Sequence, residues 1–308
     1  MIARLLKGQF GRNRKGVSLG LELAPGRIAW AQALSRNQPL QTGIVEVETG
    51  NRAGALRKLV NDRSLKGANV NLVLSQDHYR VFQTERPPVE DREMAEALRW
   101  KIAELMEYPA SAAVIDSFPF PEDASRDRGQ LINAVCAHER TVGECVETVH
   151  EAGLELNRID IAELALRNLI ARAYPQEDSA VGLVCLSEHQ GLIVFCRDDT
   201  LYMARRIDVS LRQLRDAASQ EKSVEALTLE MQRSLDYFES QLRQVPPGTI
   251  QVAGHPAALP LTGMLTNSLT ADVVNFDGSR VMGDATGGFE PGAALALGAL
   301  LGESGVGL

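Results

Sequence analysis

Apolar and polar positions along the 308-residue chain fall into two blocks that open with the same rhythm. In the first, VSLGLEL (17–23), RIAWAQAL (27–34) and LQTGIVEVE (40–48) are separated by the short breaks APG and RNQP, a pattern that predicts a three-strand meander. A helix follows over 52–63, where Leu56, Leu59 and Val60 share one face, and then strands at NVNLVLS (69–75) and YRVFQTE (79–85). In the second block, VGLVCL, GLIVFC and TLYMA are broken by SEHQ and RDD, predicting another meander within 179–207. A long helix comes next, with Leu227, Met231, Leu235, Phe238 and Leu242 as its apolar stripe, and VPPG ends it. TIQVAG (249–254) and ADVVNF (271–276) read as strands, with a helix at PAALPLTGMLTNSL between them and a small-residue helix at PGAALALGALL (291–301). Three strands followed by helices, twice over, predict a bilobed α/β protein.

Between the blocks, RPPVEDRE excludes further strand and places acids where a helix N-terminus favours them. Met94, Leu98, Ile102 and Leu105 then recur at helical spacing until Pro109. AVIDSFPF (113–120) and QLINAVCAH (130–138) predict a hairpin, and ERTVGECVETVHEAGL a second helix with Val142, Val146 and Val149 inward and Gly153 at its end. The expected layout is a basic tail (1–16), a first lobe (17–85 plus 156–175), an inserted helix–hairpin–helix unit (86–155) and a second lobe (176–308). Trp100 falls on the far side of its helix from the apolar stripe, so it is expected to pack against another subdomain, meet a partner or be left partly exposed.

The composition is that of a globular protein, 44% hydrophobic and 23% charged, and the net charge of −8 argues against a nucleic-acid binder. The first sixteen residues differ, carrying Arg4, Lys7, Arg12, Arg14 and Lys15 with no acid. Ile2, Leu5, Leu6 and Phe10 could share a helical face there. Two readings fit, a weak contact with an anionic membrane surface and a disordered terminus. No apolar run approaches the roughly 18–20 residues that span a bilayer, and the N-terminus lacks the apolar core of a signal peptide, so a cytoplasmic protein is expected. Cys136, Cys145, Cys185 and Cys196 show no CxxC pairing and read as buried thiols. Cys136, His138, Cys145 and His150 lack zinc spacing, and no metal is expected. His78, beside Asp77 and Tyr79, has no nucleophile signature near it.

Three stretches carry a resemblance: ERPPVEDREMAEALRWKIAELMEYPASAAVIDSFPF, VHEAGLELNRIDIAELAL and LEMQRSLDYFESQLRQVPPGTIQVAGHPAALPLTGML. Their order resembles the actin-like ATPase superfamily, in its PilM branch of type IV pilus assembly proteins, MSHA-type systems included. The resemblance covers nearly all of residues 17–301. It implies an actin-like (ribonuclease H-like) bilobed fold with an inserted α+β subdomain. It also implies a phosphate clamp made of two hairpins, each offering an Asp and small residues whose N–H groups approach the phosphate.

Both hairpins depart from that pattern. Glu22 stands for Asp and Leu23 for Gly, followed by Ala24, Pro25 and Gly26, and Pro25 has no N–H. In the second hairpin Cys185 replaces Asp and Ser187 replaces Gly, and the carboxylate of Glu188 would repel a phosphate. Hydrolysis is expected to be lost, with no bound cofactor; ATP with magnesium is the alternative. On the adenosine side, Glu230 and Arg233 sit three residues apart on the long helix. They read either as a residual ribose and purine contact or as a surface ion pair. Gly254 is kept in the following strand–turn, while His255, Pro256 and Leu261 replace other glycines. The resemblance implies a partner as well: an inner-membrane pilus protein whose short cytoplasmic tail lies extended between first lobe and insertion, placing this chain at the inner membrane's cytoplasmic face. The expectation is a pilus assembly scaffold. The alternatives are a nucleotide-binding ATPase or switch controlling pilus assembly, and a membrane-surface filament.

Overall fold

The computed structural model describes residues 17–33, 40–48, 50–125, 129–175, 177–256, 259–265, 269–283 and 288–302. The basic segment 1–16, with the membrane reading attached to it, lies outside them. β1 (Ser18–Ala24), β2 (Arg27–Ala33) and β3 (Gln41–Glu46) form an antiparallel meander. α1 (Arg52–Asp62) crosses over, and β4 (Asn69–Val73) joins parallel to β1. After a short turn at Gln76–His78 come β5 (Tyr79–Glu85), α2 (Met94–Lys101), β6 (Ala113–Pro119), β7 (Leu131–His138) and α3 (Glu139–Glu151). β8 (Glu155–Asp160) returns beside β4, and α4 (Ala162–Ala173) leads to the second half. There β9 (Val181–Leu186), β10 (Gly191–Arg197) and β11 (Thr200–Ile207) form the second meander. α5 (Leu211–Arg215), α6 (Gln220–Ser240), β12 (Thr249–Ala253), α7 (Leu261–Leu265), β13 (Asp272–Asn275), α8 (Ser279–Met282) and α9 (Ala294–Leu301) complete the described chain.

The two main sheets have one topology. Their strand orders are β3-β2-β1-β4-β8 and β11-β10-β9-β12-β13, each an antiparallel meander extended by parallel crossovers. The expected duplication is therefore present strand for strand. The predicted stripe of α6, Leu227, Met231, Leu235 and Phe238 with Leu242 beyond its end, is buried in the second core.

Several expected boundaries are corrected. The strand over 79–85 was assigned to the first lobe, but β5 pairs with β7 in a separate sheet of order β5-β7-β6, so the insertion begins near residue 79 rather than 86. Nor is the second inserted helix part of an independent unit. Val142, Cys145, Val146 and Val149 of α3 are buried in the same core as Leu56, Leu59 and Val60 of α1. The C-terminal helix, assigned to the second lobe, packs on β1, β2 and β4 of the first and against α4. Its small residues explain how: a Cβ on Gly20 would stand 1.9 Å from the carbonyl oxygen of Ala296, and one on Gly298 2.0 Å from that of Ala165. Asn71 and Asn168 donate to the Ala299 and Gly298 carbonyls in the last turn of this helix. The helix expected over PAALPLTGMLTNSL is, among described residues, the short α7.

Candidate functional site

The β1–β2 and β9–β10 turns meet across the cleft between the lobes. Ala24 and Arg27 flank the first turn, so Pro25 and Gly26 form it alone, with Gly26 at φ +74° as the third residue of a type II turn requires. In the ladder Glu22 faces Ala29 while Ala24 faces Arg27, which puts Glu22 and Arg27 diagonally on one face of the sheet. They form a salt bridge of 3.2 Å, and both are more than nine-tenths buried. Burial outweighs the arginine and raises the Glu22 carboxyl above its ordinary value. Cys185 enters from the second lobe. Burial, with the Glu22 charge adding to it against the opposing Arg27, pushes its thiol up to about 12. The two positions where the resemblance implies an Asp thus hold a carboxylate committed to an arginine and a protonated thiol.

The second turn uses up its own donors. The Ser187 hydroxyl oxygen accepts from the N–H groups of His189 (3.4 Å) and Gln190 (3.2 Å) and donates to the Gln190 carbonyl at 2.8 Å. A phosphate would have to displace this side chain to reach those N–H groups. Glu188, expected to repel a phosphate, is held by both its oxygens to Arg215 at 2.6 and 3.2 Å, so its charge is answered. The obstacle is bulk and donor depletion more than repulsion. Only about 30 Å³ remains between Glu22, Pro25, Arg27, Gln76, Ser187 and Gln190. Small-molecule sites run to about 300–1,000 Å³.

On the adenosine side, Glu230 bonds Arg233 at 2.8 Å and lies 3.4 Å from Arg205 of β11. The pair exists, with Glu230 engaged on both flanks. Gly254 has φ +88°, and a Cβ there would come 2.1 Å from the Leu186 carbonyl oxygen, so its role in this structure is to let β12 end against β9. His255 is buried and bonded to Asn275.

Other candidates are dispersed. Cys136 belongs to the small cluster under α2 and Cys145 to the first-lobe core, while His138 caps α3 by accepting from the Arg140 N–H and His150 is exposed. No metal-binding group of three or more His, Cys, Asp or Glu occurs among the described residues. Trp100 is 75% exposed, so of its three expected fates packing against another subdomain is not the one seen. Leu105, expected in the buried stripe, is 58% exposed because α2 ends at Lys101 and a 3₁₀ turn redirects the chain. The sequence reading missed Arg27 and Arg215. A base five residues after Glu22 across a two-residue turn was a usable signal for the first; Arg215 reaches its partner only through the tertiary path of α5.

Two lobes of identical strand order, bridged by α4 and α9 and facing a hairpin each across a cleft, define the class as the actin-like ATPase fold. Among solved structures the chain is similar to one from the "PilM-PilN type IV pilus biogenesis complex", with a TM-score of 0.69 and 22% identity over 92% of this chain and 97% of that one. It is also similar to the cytoplasmic domain of EpsL from Vibrio cholerae, an inner-membrane component of the type II secretion system (TM-score 0.56, 12% identity, covering 93% and 96%). A third similar structure is a Bacteroides thetaiotaomicron protein with the actin-like ATPase fold (TM-score 0.51, 12% identity, covering 84% and 91%). No protein-family model matches the sequence, and comparison with curated proteins gives no match. No helix among the described residues is long and apolar enough to cross a membrane.

Proposed function

We propose that this protein is a non-hydrolysing scaffold of a type IV pilus machine, of the kind typified by the MSHA pilus biogenesis protein MshI. It works at the cytoplasmic face of the inner membrane by holding the cytoplasmic tail of an inner-membrane pilus protein. The observation that carries the reading is the occupied cradle. Glu22 and Arg27 pair where a triphosphate would lie, and Ser187 binds the N–H groups that would hold it. The similarity to a chain of the PilM–PilN complex, which spans the inserted segment as well as both lobes, supports the pilus setting. β5 supports the tail-binding role: it is an edge of its sheet, hydrogen-bonded only to β7 among the described strands, and it begins where the first lobe meets the insertion. An extended tail can add to such an edge through backbone hydrogen bonds. Membrane fractionation tests this. The protein is expected in inner-membrane fractions when the pilus partner is present and in the soluble fraction when the partner's cytoplasmic tail is deleted; recruitment that survives the deletion overturns the proposal.

The rival reading, a nucleotide-operated switch, draws on Glu230 and Arg233 on the adenosine side. It requires Arg233 to be available to a ligand, whereas Arg233 already holds the Glu230 carboxylate. A fluorescent ATP analogue titrated with magnesium separates the two readings: micromolar binding abolished by Arg233→Ala favours the switch.

A further inference from the structure

Beside the cradle, a second group of contacts joins the lobes through this chain's own residues. Arg206, near the end of β11 in the second lobe, donates to the backbone carbonyls of Gln76 at 2.7 Å and Tyr79 at 3.2 Å. Gln76 lies on the turn between β4 and β5, which forms one wall of the cradle, and Tyr79 is the first residue of β5. The same guanidinium is 3.5 Å from the carboxylate of Glu163 on α4 and lies over the Tyr79 ring, 4.5 Å from its centroid. Glu163 accepts from the Tyr79 hydroxyl, which in turn accepts from the Ala162 N–H at 3.0 Å. Glu163 and Tyr79 are 3% and 2% exposed. At the cradle mouth Gln190 of the second hairpin reaches Asp77 of the same turn at 3.5 Å.

The arrangement has the chemistry of a ligand-mediated closure with no ligand. In a two-lobed protein that shuts on a nucleotide, the bound molecule supplies the contacts that each lobe lacks alone. Here a cation of one lobe meets two carbonyls and an aromatic face of the other side, and it is held from its own side by the carboxylate of Glu163, since α4 packs against β9, β10 and β11. Opening would take Arg206 from the two carbonyls and the Tyr79 hydroxyl from the buried Glu163 carboxylate, so the open state is penalised.

We propose that Arg206 is a built-in clasp that keeps the lobes closed, with Gln76 and Tyr79 as its seat and Glu163 as the counter-charge that positions it, so that closure does not depend on nucleotide. The inference rests on these contacts and holds whichever partner the protein binds. Cys185 makes it measurable. All four cysteines are buried, and Cys185 is the one close to Glu22 and Arg27, behind the residues that line the cradle. In the full-length native protein its reaction with Ellman's reagent is expected to be slow. Arg206→Ala is expected to speed it by about tenfold or more, the factor that follows from losing a charge-assisted hydrogen bond. Glu163→Gln, which keeps the shape and removes the counter-charge, is expected to speed it by a smaller factor and serves if Arg206→Ala does not fold. Adding Cys185→Ser to either variant should abolish the new fast phase. Native rates in the folded variants, or a fast phase that survives Cys185→Ser, overturn the clasp. Millimolar MgATP is expected to leave the native rate unchanged. A MgATP-induced slowing would instead overturn the non-nucleotide reading of the cradle, while the clasp stands or falls on the variants.

Discussion

At the scale of single residues, the consequential pair is Glu22 and Arg27. Both are more than nine-tenths buried, so removing one partner leaves the other as a buried charge. Arg27→Ala is expected to cost about 3–5 kcal/mol in urea unfolding, whereas replacing both by Leu and Met should cost little or nothing. The Glu22 carboxyl is raised above 4.5 by burial, and this sets a sign for pH. Below 4.5 the group is protonated in both folded and unfolded chains and contributes no pH dependence. As pH rises from there, the unfolded chain releases the proton first, so the contribution to stability falls until the folded carboxyl also ionises. Measured as the difference in unfolding free energy between native protein and Glu22→Gln, stability should decline above about pH 4.5 and then level off. A difference curve that rises instead contradicts a buried, proton-favouring site. Trp100 gives the opposite kind of prediction. Exposed as it is, its replacement by Phe should change stability by less than about 0.5 kcal/mol and remove the long-wavelength part of the fluorescence, leaving that of buried Trp30.

At the scale of elements, the meanders, α1 and α6 were legible because each has a strong period and a clear break after it: Leu56, Leu59 and Val60 on α1, and Leu227 through Leu242 along and just past α6, are all buried. Membership of elements in lobes was not legible. β5 reads like its neighbours in the first lobe, and only the partner of its hydrogen bonds, β7, shows which sheet owns it. The same holds for α9, whose run of Ala, Leu and Gly marks tight packing without saying against what. In the site, the substitutions at Glu22, Pro25, Cys185 and Ser187 were visible, but that Ser187 folds back onto the N–H groups of its own turn was not, since a serine there could equally face solvent. The close approach of α9 to α4 carries a prediction of its own. A methyl group on Gly298 would meet the Ala165 carbonyl at 2.0 Å, a backbone atom with no rotamer to turn away. Gly298→Ala should therefore destabilise by about 2 kcal/mol or more in urea unfolding, despite alanine's better helix propensity, which is worth only about 1 kcal/mol. An unchanged or higher midpoint would mean that the two helices are not pressed together at that point.

At the scale of the whole molecule, the clasp, the filled cradle and the depleted turn act in one direction: each removes work that a nucleotide does in a two-lobed protein that shuts on one. Linkage makes their sum testable without knowing the partner. A ligand that binds only the folded protein adds RT ln(1 + [L]/Kd) to its stability, about 2.7 kcal/mol at one hundred times Kd. With MgATP at about 1 mM, a Kd of about 10 µM would therefore raise the melting temperature by several degrees, even with no turnover. No shift is expected for the native protein, because a cavity of about 30 Å³ cannot take a triphosphate until the Glu22–Arg27 pair separates and Ser187 turns away from its N–H groups. The pair's own stability therefore opposes binding. Arg206→Ala adds the discriminating arm. If the clasp were the only barrier, freeing the lobes would restore a MgATP-dependent shift. With the cradle already occupied by its own side chains, the variant should melt lower than the native protein and still ignore MgATP. A shift in the native protein would show that the Glu22–Arg27 pair yields to phosphate, and one confined to the variant would place the whole obstacle in the clasp.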